Sequence, residues 1–215
     1  MKFGFEQHME RLVKNYPDLL CCVTAIRESF ELLNTCYLQG GQVLVCGNGG
    51  SASDSEHIVG ELMKGFLLPR PVPESFKSTV AQLFPEEANE ICNRLQGALP
   101  AISLVSQSAL ISAYSNDISA ELVFAQQVYV YGKETDVLLA LSTSGNSMNV
   151  IRAIQVAKAK GMPAIGLAGK SGGMMKSLCD VTICVPYETT PAIQERHLPI
   201  YHTLCIMLEE AFFNK

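Results

Sequence analysis

Residues 46–51, Cys-Gly-Asn-Gly-Gly-Ser, stand between the apolar run Val43, Leu44, Val45 and a stretch of helical spacing that carries His57 and Glu61 four residues apart. Glycine lacks Cβ and takes positive φ freely. Backbone N–H groups of such a turn can therefore close on an anion, while the helix N-terminus behind it adds partial positive charge. Gly47, Gly49 and Gly50 supply that freedom. His57 and Glu61, at i and i+4, fall on one helical face, where an imidazole and a carboxylate suit a metal ion or acid–base chemistry. An ordinary tight strand-to-helix turn also accounts for a glycine string taken alone.

The chain repeats the device at 142–147, where Ser-Thr-Ser-Gly-Asn-Ser follows the apolar run 137–141. Ser142, Thr143, Ser144 and Ser147 can each donate to a phosphate oxygen, and Asn146 or Ser147 can cap the amphipathic stretch that runs to Lys160. No Lys or Arg lies in this loop. The expected ligand is thus a sugar phosphate held by neutral donors and a helix dipole, not a nucleotide triphosphate gripped by lysine and magnesium. A serine-rich loop can also be a solvated linker, but the flanking patterns place this one at the carboxyl end of a buried strand, where open α/β sheets bind ligands.

These loops need strands and helices to hold them. Apolar positions at helical spacing over 5–15 and 18–38 predict two helices within residues 1–40, divided by Tyr16-Pro17-Asp18. Short continuous apolar runs predict parallel strands at 42–46, 101–105, 136–141, 163–168 and 181–185. Helices are expected near 52–64, 107–131 with a break around Asn116-Asp117, 147–160, 173–178 and 191–213. The fold class is α/β: a three-layer doubly wound sandwich with a five-stranded parallel sheet, preceded by N-terminal helices. Residues 67–99, with Pro69, Pro71, Pro73, Pro85 and a polar helix-like piece from Glu86 to Gln96, form an insertion. Such an insertion is either a functional lid or mobile decoration, and its departure from the end of the helix carrying His57 and Glu61 leans toward a lid.

The chain has 215 residues, 48% apolar and 17% charged, enough to bury a full core. Its net charge of −5 and the absence of any Lys/Arg run argue against direct nucleic-acid binding. MKFGFEQHMERL is too charged for a signal peptide and no apolar stretch reaches the length of a membrane span, so a cytoplasmic protein without membrane contact is expected. The eight cysteines contain no C-x-x-C and read as reduced core residues, with Cys46 notable for abutting the glycine turn.

The segments CGNGGSASDSEHIVGE and LSTSGNSMNVIRAI, with LAGKSGG at 167–173 and PAIQERHLPIYH at 191–202, resemble the sugar isomerase (SIS) domain and, within it, the phosphoheptose isomerases. The resemblance covers nearly the whole chain apart from 67–99 and implies a single SIS domain over 1–215. It further implies a homotetramer with sites between subunits, converting sedoheptulose 7-phosphate to D-glycero-D-manno-heptose 7-phosphate through an enediol.

Carried over by position, the resemblance puts a metal site on His57, Glu61, Gln194 and His202, with one zinc ion expected per site and Glu61 and His202 also the acid/base pair. It puts substrate contacts on Asn48, Gly49, Gly50, Ser51, Asp117, Ser142, Thr143, Ser144, Ser147 and Gln194. Moving a proton between adjacent carbons needs a base, an acid and stabilisation of the developing oxyanion, and these residue types with a metal supply all three.

Gln194 and His202 are eight residues apart, roughly 12 Å of helical rise, so they reach one ion either from different subunits or from a helix distorted at Pro199. His197 is a rival ligand, although a histidine satisfied within its helix is the simpler reading. Two other functions fit the resemblance. One is isomerisation of another sugar phosphate in a pocket reshaped by 67–99. The other is a non-catalytic tetrameric adaptor of the replication initiator DnaA, a role in which relatives lack the acidic and histidine ligands. Retention of Glu61 and His202 favours the enzyme, and the departure at Lys64-Gly65-Phe66 bears on substrate identity.

Overall fold

A computed structural model describes residues 3–214; Met1, Lys2 and Lys215, the ends of the expected 1–215 span, lie outside the described residues. Helix α1 (Phe3–Asn15), a 3-10 turn (Pro17–Cys22) and α2 (Val23–Leu38) lead into strand β1 (Val43–Cys46) and α3 (Gly50–Met63). Helices α4 (Glu74–Leu83) and α5 (Ala88–Arg94) precede β2 (Ala101–Ser103) and α6 (Ser108–Tyr114). A π-helical turn (Ser115–Ser119) and a 3-10 turn (Ala120–Leu122) then lead to α7 (Val123–Tyr131), and β3 (Val137–Leu141), α8 (Met148–Ala159), β4 (Ala164–Ala168), α9 (Met175–Leu178), β5 (Val181–Cys184) and α10 (Thr190–Phe213) complete the chain.

The five strands form one parallel sheet in the order β2-β1-β3-β4-β5, as the apolar runs predict. Alternation along each strand splits the core in two. Val43, Val45, Leu139, Leu141 and Ile165 pack with Ile58, Ile200 and Leu204 on one face, while Leu44, Cys46, Leu138 and Ala140 pack with Val128, Ile151 and Ile154 on the other. Both faces are covered, which is why the strands read as unbroken apolar runs. The chain leaves β1 toward β2 on one side and resumes at β3 on the other, so the strand order reverses between β1 and β3. At that point the carboxyl ends of adjacent parallel strands open a crevice. The glycine turn follows β1 and the serine loop follows β3, so topology sets them side by side.

The break expected near Asn116-Asp117 is the π-helical turn, followed by a 3-10 turn whose start Ser119 caps by accepting from the Glu121 N–H at 3.2 Å. Within 67–99 the polar piece is α5, but α4 was unforeseen. Pro71 and Pro73 fall just before α4, where a missing N–H costs a helix nothing, although a proline-rich run reads as irregular. The insertion is also pinned at both roots rather than hinged. Gly97 N–H donates to the Arg70 carbonyl at 2.6 Å and Leu99 N–H to the Leu62 carbonyl at 3.0 Å. All eight cysteines are free; burial pushes the Cys46 thiol well up, which makes it an inert filler of the strand end, whereas Cys21 is exposed. Among the described residues, no helix is long and apolar enough to cross a membrane.

The root of the insertion holds a fully buried ion pair, Arg70 with Glu209 of α10 at 2.8 Å, both side chains at 0% exposure. Glu209 also accepts from the N–H groups of Phe66, Leu67 and Leu68 at 2.7, 2.7 and 3.1 Å. Arg70 also gives one donor from each terminal nitrogen to the carbonyls of Leu62 and Glu61 at 2.7 and 3.1 Å, among the last of α3, which a helix leaves unpaired. Burial pushes the Glu209 carboxyl up, but the Phe66 and Leu67 N–H groups and the Arg70 guanidinium outweigh it and hold the group below its ordinary range.

Removing one partner strands the other charge in the core, so Arg70→Met should cost about 3–5 kcal/mol in urea unfolding, with much of the loss recovered in Arg70→Met/Glu209→Leu. A carboxyl whose pKa is lower folded than unfolded adds stability above the unfolded value and loses it as pH falls through the folded one. Acid titration of unfolding should therefore show a flatter low-pH limb in Glu209→Gln than in the wild type.

Candidate active site

Two uncapped helix N-termini meet at the crevice. Gly49 takes φ of +55° before α3, and neither α3 nor α8 has a side-chain cap. Ser147 occupies the N-cap position expected of it, but its hydroxyl turns to Ser142 at 3.0 Å instead of capping α8. Asn146, the other expected cap, bridges within its loop and accepts from the Met174 N–H at 2.9 Å. Both helices therefore turn the positive ends of their dipoles to the crevice, although the Ser51 and Val150 N–H groups are taken by Asn48 O and Asn149 Oδ1.

The two loops are joined by a reciprocal amide pair, Asn48 with Asn149 of α8, each Nδ2 2.9 Å from the other's Oδ1. Ser51 is buried, with its N–H donating to Asn48 O at 3.0 Å. Ser142 is buried and Thr143 half-buried, whereas Ser144 is exposed. Gly145 takes φ of +67°, and a Cβ there would press into the Gly172 carbonyl oxygen.

The serine loop and the segment after β4 line a cleft of about 600 Å³ with Thr143, Ser144, Asn146, Gly169, Lys170 and Tyr187 among its walls. The neutral loop thus acquires a cation from the next strand. Lys170, in the LAGKSGG segment, rests on Glu188 at 3.2 Å and is solvent-exposed, and the Gly169 N–H donates to Thr143 O at 2.9 Å to hold the two loops together. A smaller cavity of about 360 Å³ among α1, α2 and α10 contains none of these residues.

Toward the middle of α3 stand side chains able to exchange protons. His57 Nε2 lies 3.2 Å from Glu61 Oε1 and 3.3 Å from Nε2 of His202 on α10, and Lys64 Nζ holds the other Glu61 oxygen at 3.0 Å. Phe66, in the Lys64-Gly65-Phe66 departure, packs its ring 5.3 Å from that of His202. The Tyr201 hydroxyl sits 3.1 Å from both Asp54 Oδ1 and His57 Nδ1. Burial, then His57, lower the His202 pKa against the pull of Glu61, whereas burial raises that of Asp54 against Tyr201 and His57.

Three of the four expected metal ligands therefore meet within one protomer. Gln194 lies apart, its amide against Gly50 at the mouth of the glycine turn, and α10 continues helically through Pro199. His197 is fully buried; burial, set against a contact with the Ala168 backbone, pushes it down to about 4, so it is a neutral core residue rather than a ligand. Asp117 is exposed on the π-helical turn and accepts from Asn116 Nδ2 at 2.8 Å, with no hydrogen bond to either loop among the described residues.

No preassembled cluster of three or more His, Cys, Asp or Glu side chains able to hold a metal ion is found among the described residues. His57 instead links Glu61 and His202 in a line of contacts. The donor types nonetheless suit zinc, and the 3.2 and 3.3 Å separations are close to the roughly 3.3 Å between donors of a tetrahedral ion with bonds near 2.0–2.1 Å.

The SIS domain family matches residues 78–169. The chain is 40% identical over 187 residues to the phosphoheptose isomerase of Campylobacter jejuni serotype O:6, covering 87% of each chain. It is 37% identical to that of Helicobacter pylori strain P12, over 98% of this chain and 95% of the other. The structure of a phosphoheptose isomerase from Francisella tularensis superposes with a TM-score of 0.75 at 30% identity, over 95% of this chain and 96% of that one. The fold and paired loops are those of an SIS-domain sugar-phosphate isomerase. Within that class, the chain belongs to the phosphoheptose isomerase family.

Gly145→Ala combines left-handed backbone with a backbone clash, so it should cost ~1–3 kcal/mol of stability and abolish inorganic phosphate binding. Thermal unfolding and calorimetric titration with phosphate check both.

Proposed function

We propose that the protein interconverts sedoheptulose 7-phosphate and D-glycero-D-manno-heptose 7-phosphate through an enediol. What carries this reading is the arrangement along α3, whose N-terminus forms one phosphate loop and whose third turn reaches the His57–Glu61–His202 contacts. From Ser51 to His57 is about 9 Å of helical rise, which suits a substrate whose phosphate and carbonyl stand at opposite ends of a multi-carbon chain.

Ser142, Thr143, Ser144, Ser147, Asn48, Gly49, Gly50 and Ser51 hold the phosphate and the sugar hydroxyls beside it, Lys170 adds charge, and Gln194 at Gly50 and Asp117 complete the substrate contacts. Glu61 removes a proton from the carbon beside the carbonyl, and His202, kept from permanent protonation by its lowered pKa, exchanges a proton with the oxygen. Lys64 restrains Glu61 in the free enzyme and must yield its oxygen during the reaction. His57, Glu61 and His202 would hold the ion, a fourth donor from Gln194 would have to come from another subunit, and a bound divalent cation would stabilise negative charge developing on the substrate oxygen. The assembly is a cytoplasmic homotetramer with sites shared between subunits.

Glu61→Gln keeps size and hydrogen bonding but removes the charge, and should lower kcat by at least ~100-fold at an unchanged melting temperature. A brace for the glycine turn would instead show turnover within a few-fold and lost stability. The adaptor reading expects no turnover in the wild type on any sugar phosphate. Ser144→Ala should raise KM with a modest change in kcat, since a phosphate contact holds ground and transition states alike. Light scattering should give a tetramer, and elemental analysis a stoichiometric divalent metal.

A further inference from the structure

Three loops line the serine-loop cleft, and one of them is fastened from outside the sheet. Between β5 and α10 the chain brings Tyr187 and Glu188 into the wall that also holds Thr143, Ser144 and Lys170. The Tyr187 carbonyl accepts from the Lys170 N–H at 2.9 Å, and the Glu188 carboxylate accepts from Lys170 Nζ at 3.2 Å. Two consecutive residues thus place both the backbone and the side chain of this cation. Gly169 N–H ties the same segment to Thr143 O at 2.9 Å, and a Cβ at Gly169 would press on Ile193 and on the carbonyls of Thr143 and Tyr187. The packing leaves no slack, so a displaced Tyr187 carries Lys170 with it.

Tyr187 is itself held by the N-terminal segment. Its hydroxyl donates to Asp18 Oδ2 at 2.9 Å, Arg196 Nε of α10 donates to the same oxygen, and the guanidinium stands 5.1 Å from the Tyr187 ring centroid. Asp18 belongs to the 3-10 turn between α1 and α2, ahead of the whole sheet. Burial raises its carboxyl, but the hydrogen bonds from Arg196 and Tyr187 outweigh it and hold the group below its ordinary range. The Asp18 and Arg196 side chains are 26% and 25% exposed, against 76% and 65% for Glu188 and Lys170. An ion pair in solvent contributes little, so Lys170 can leave Glu188 for a phosphate while Tyr187 stays where Asp18 holds it. We infer that Asp18 and Tyr187 are positioning residues that set where Lys170 stands in the serine-loop cleft, so that the N-terminal segment governs how tightly a phosphate is held there. The inference rests on the proposed reading of that cleft as the phosphate site.

The test is a double-mutant cycle on the full-length protein, read by calorimetric titration with inorganic phosphate and by steady-state kinetics on sedoheptulose 7-phosphate. Lys170→Met should weaken phosphate binding by about 10-fold, the scale of a lost contact to a charged group. Tyr187→Phe keeps the ring against Arg196 and removes only the hydroxyl; it should weaken phosphate binding and raise KM by about 3–10-fold, with kcat within twofold. Asp18→Ala, which takes away the acceptor, should match it. In the Lys170→Met background Tyr187→Phe should change phosphate affinity less than twofold, because the residue through which it acts is gone. Wild-type affinity in Tyr187→Phe, or a loss just as large in the Lys170→Met background, would overturn the inference. So would a fall in kcat that follows a lowered melting temperature, the mark of a merely structural bond. A wild type that binds no phosphate overturns the reading of the cleft and the inference with it, whereas phosphate binding with additive losses overturns the inference alone.

Discussion

The carboxylate of Glu209 is the point on which the site depends. It accepts from the Phe66, Leu67 and Leu68 N–H groups and from Arg70, and Arg70 in turn closes the last carbonyls of α3. One buried charge thus satisfies a sharp turn of backbone leaving α3, ends that helix, and fastens it to α10. Glu61 and His202 belong to those two helices, so their separation follows from the clamp. A buried ion pair is a poor source of net stability compared with apolar packing of similar volume. Its role here is geometric: apolar side chains could fill the same space, but they could not terminate α3 and order residues 66–68 at once.

The second constraint is topological. Reversal of strand order between β1 and β3 brings two helix N-termini to one crevice, and the Asn48–Asn149 amide pair fixes their spacing. Gly49 and Gly145 take backbone conformations that other residues adopt only with strain, and the serine hydroxyls complete a site whose charge comes from dipoles and from Lys170. The glycine turn and the His57–Glu61 pair thereby stand toward opposite ends of α3, one set by the sheet and the other by the clamp.

Much of this was legible in the sequence. Strands covered on both faces must be continuous apolar runs, and glycine and serine loops directly after two of them announce a crevice. The i, i+4 spacing of His57 and Glu61 places them together without tertiary information. What was hidden depends on partners distant in the chain. Arg70 lies in a proline-rich stretch that reads as a lid or decoration, and Glu209 in LEEAFF looks like one more surface carboxylate. Lys170 reaches the serine loop only through β4, and Tyr201 has no periodic signal that distinguishes a residue bridging Asp54 and His57 from a core aromatic. Gln194 shows the opposite limit: the resemblance grouped it with His202, the helical rise between them was legible in the sequence, and within one protomer that rise keeps it at Gly50.

Glu61 is proposed to move a proton on carbon, and deuterium incorporation reads that step most directly. Wild-type protein and Glu61→Gln are incubated with sedoheptulose 7-phosphate in D2O, and label at the carbons flanking the carbonyl is followed by NMR and mass spectrometry. The expected result is label entering substrate and product with the wild type, and exchange slowed by at least ~100-fold in Glu61→Gln. Exchange at the wild-type rate in Glu61→Gln would contradict the account.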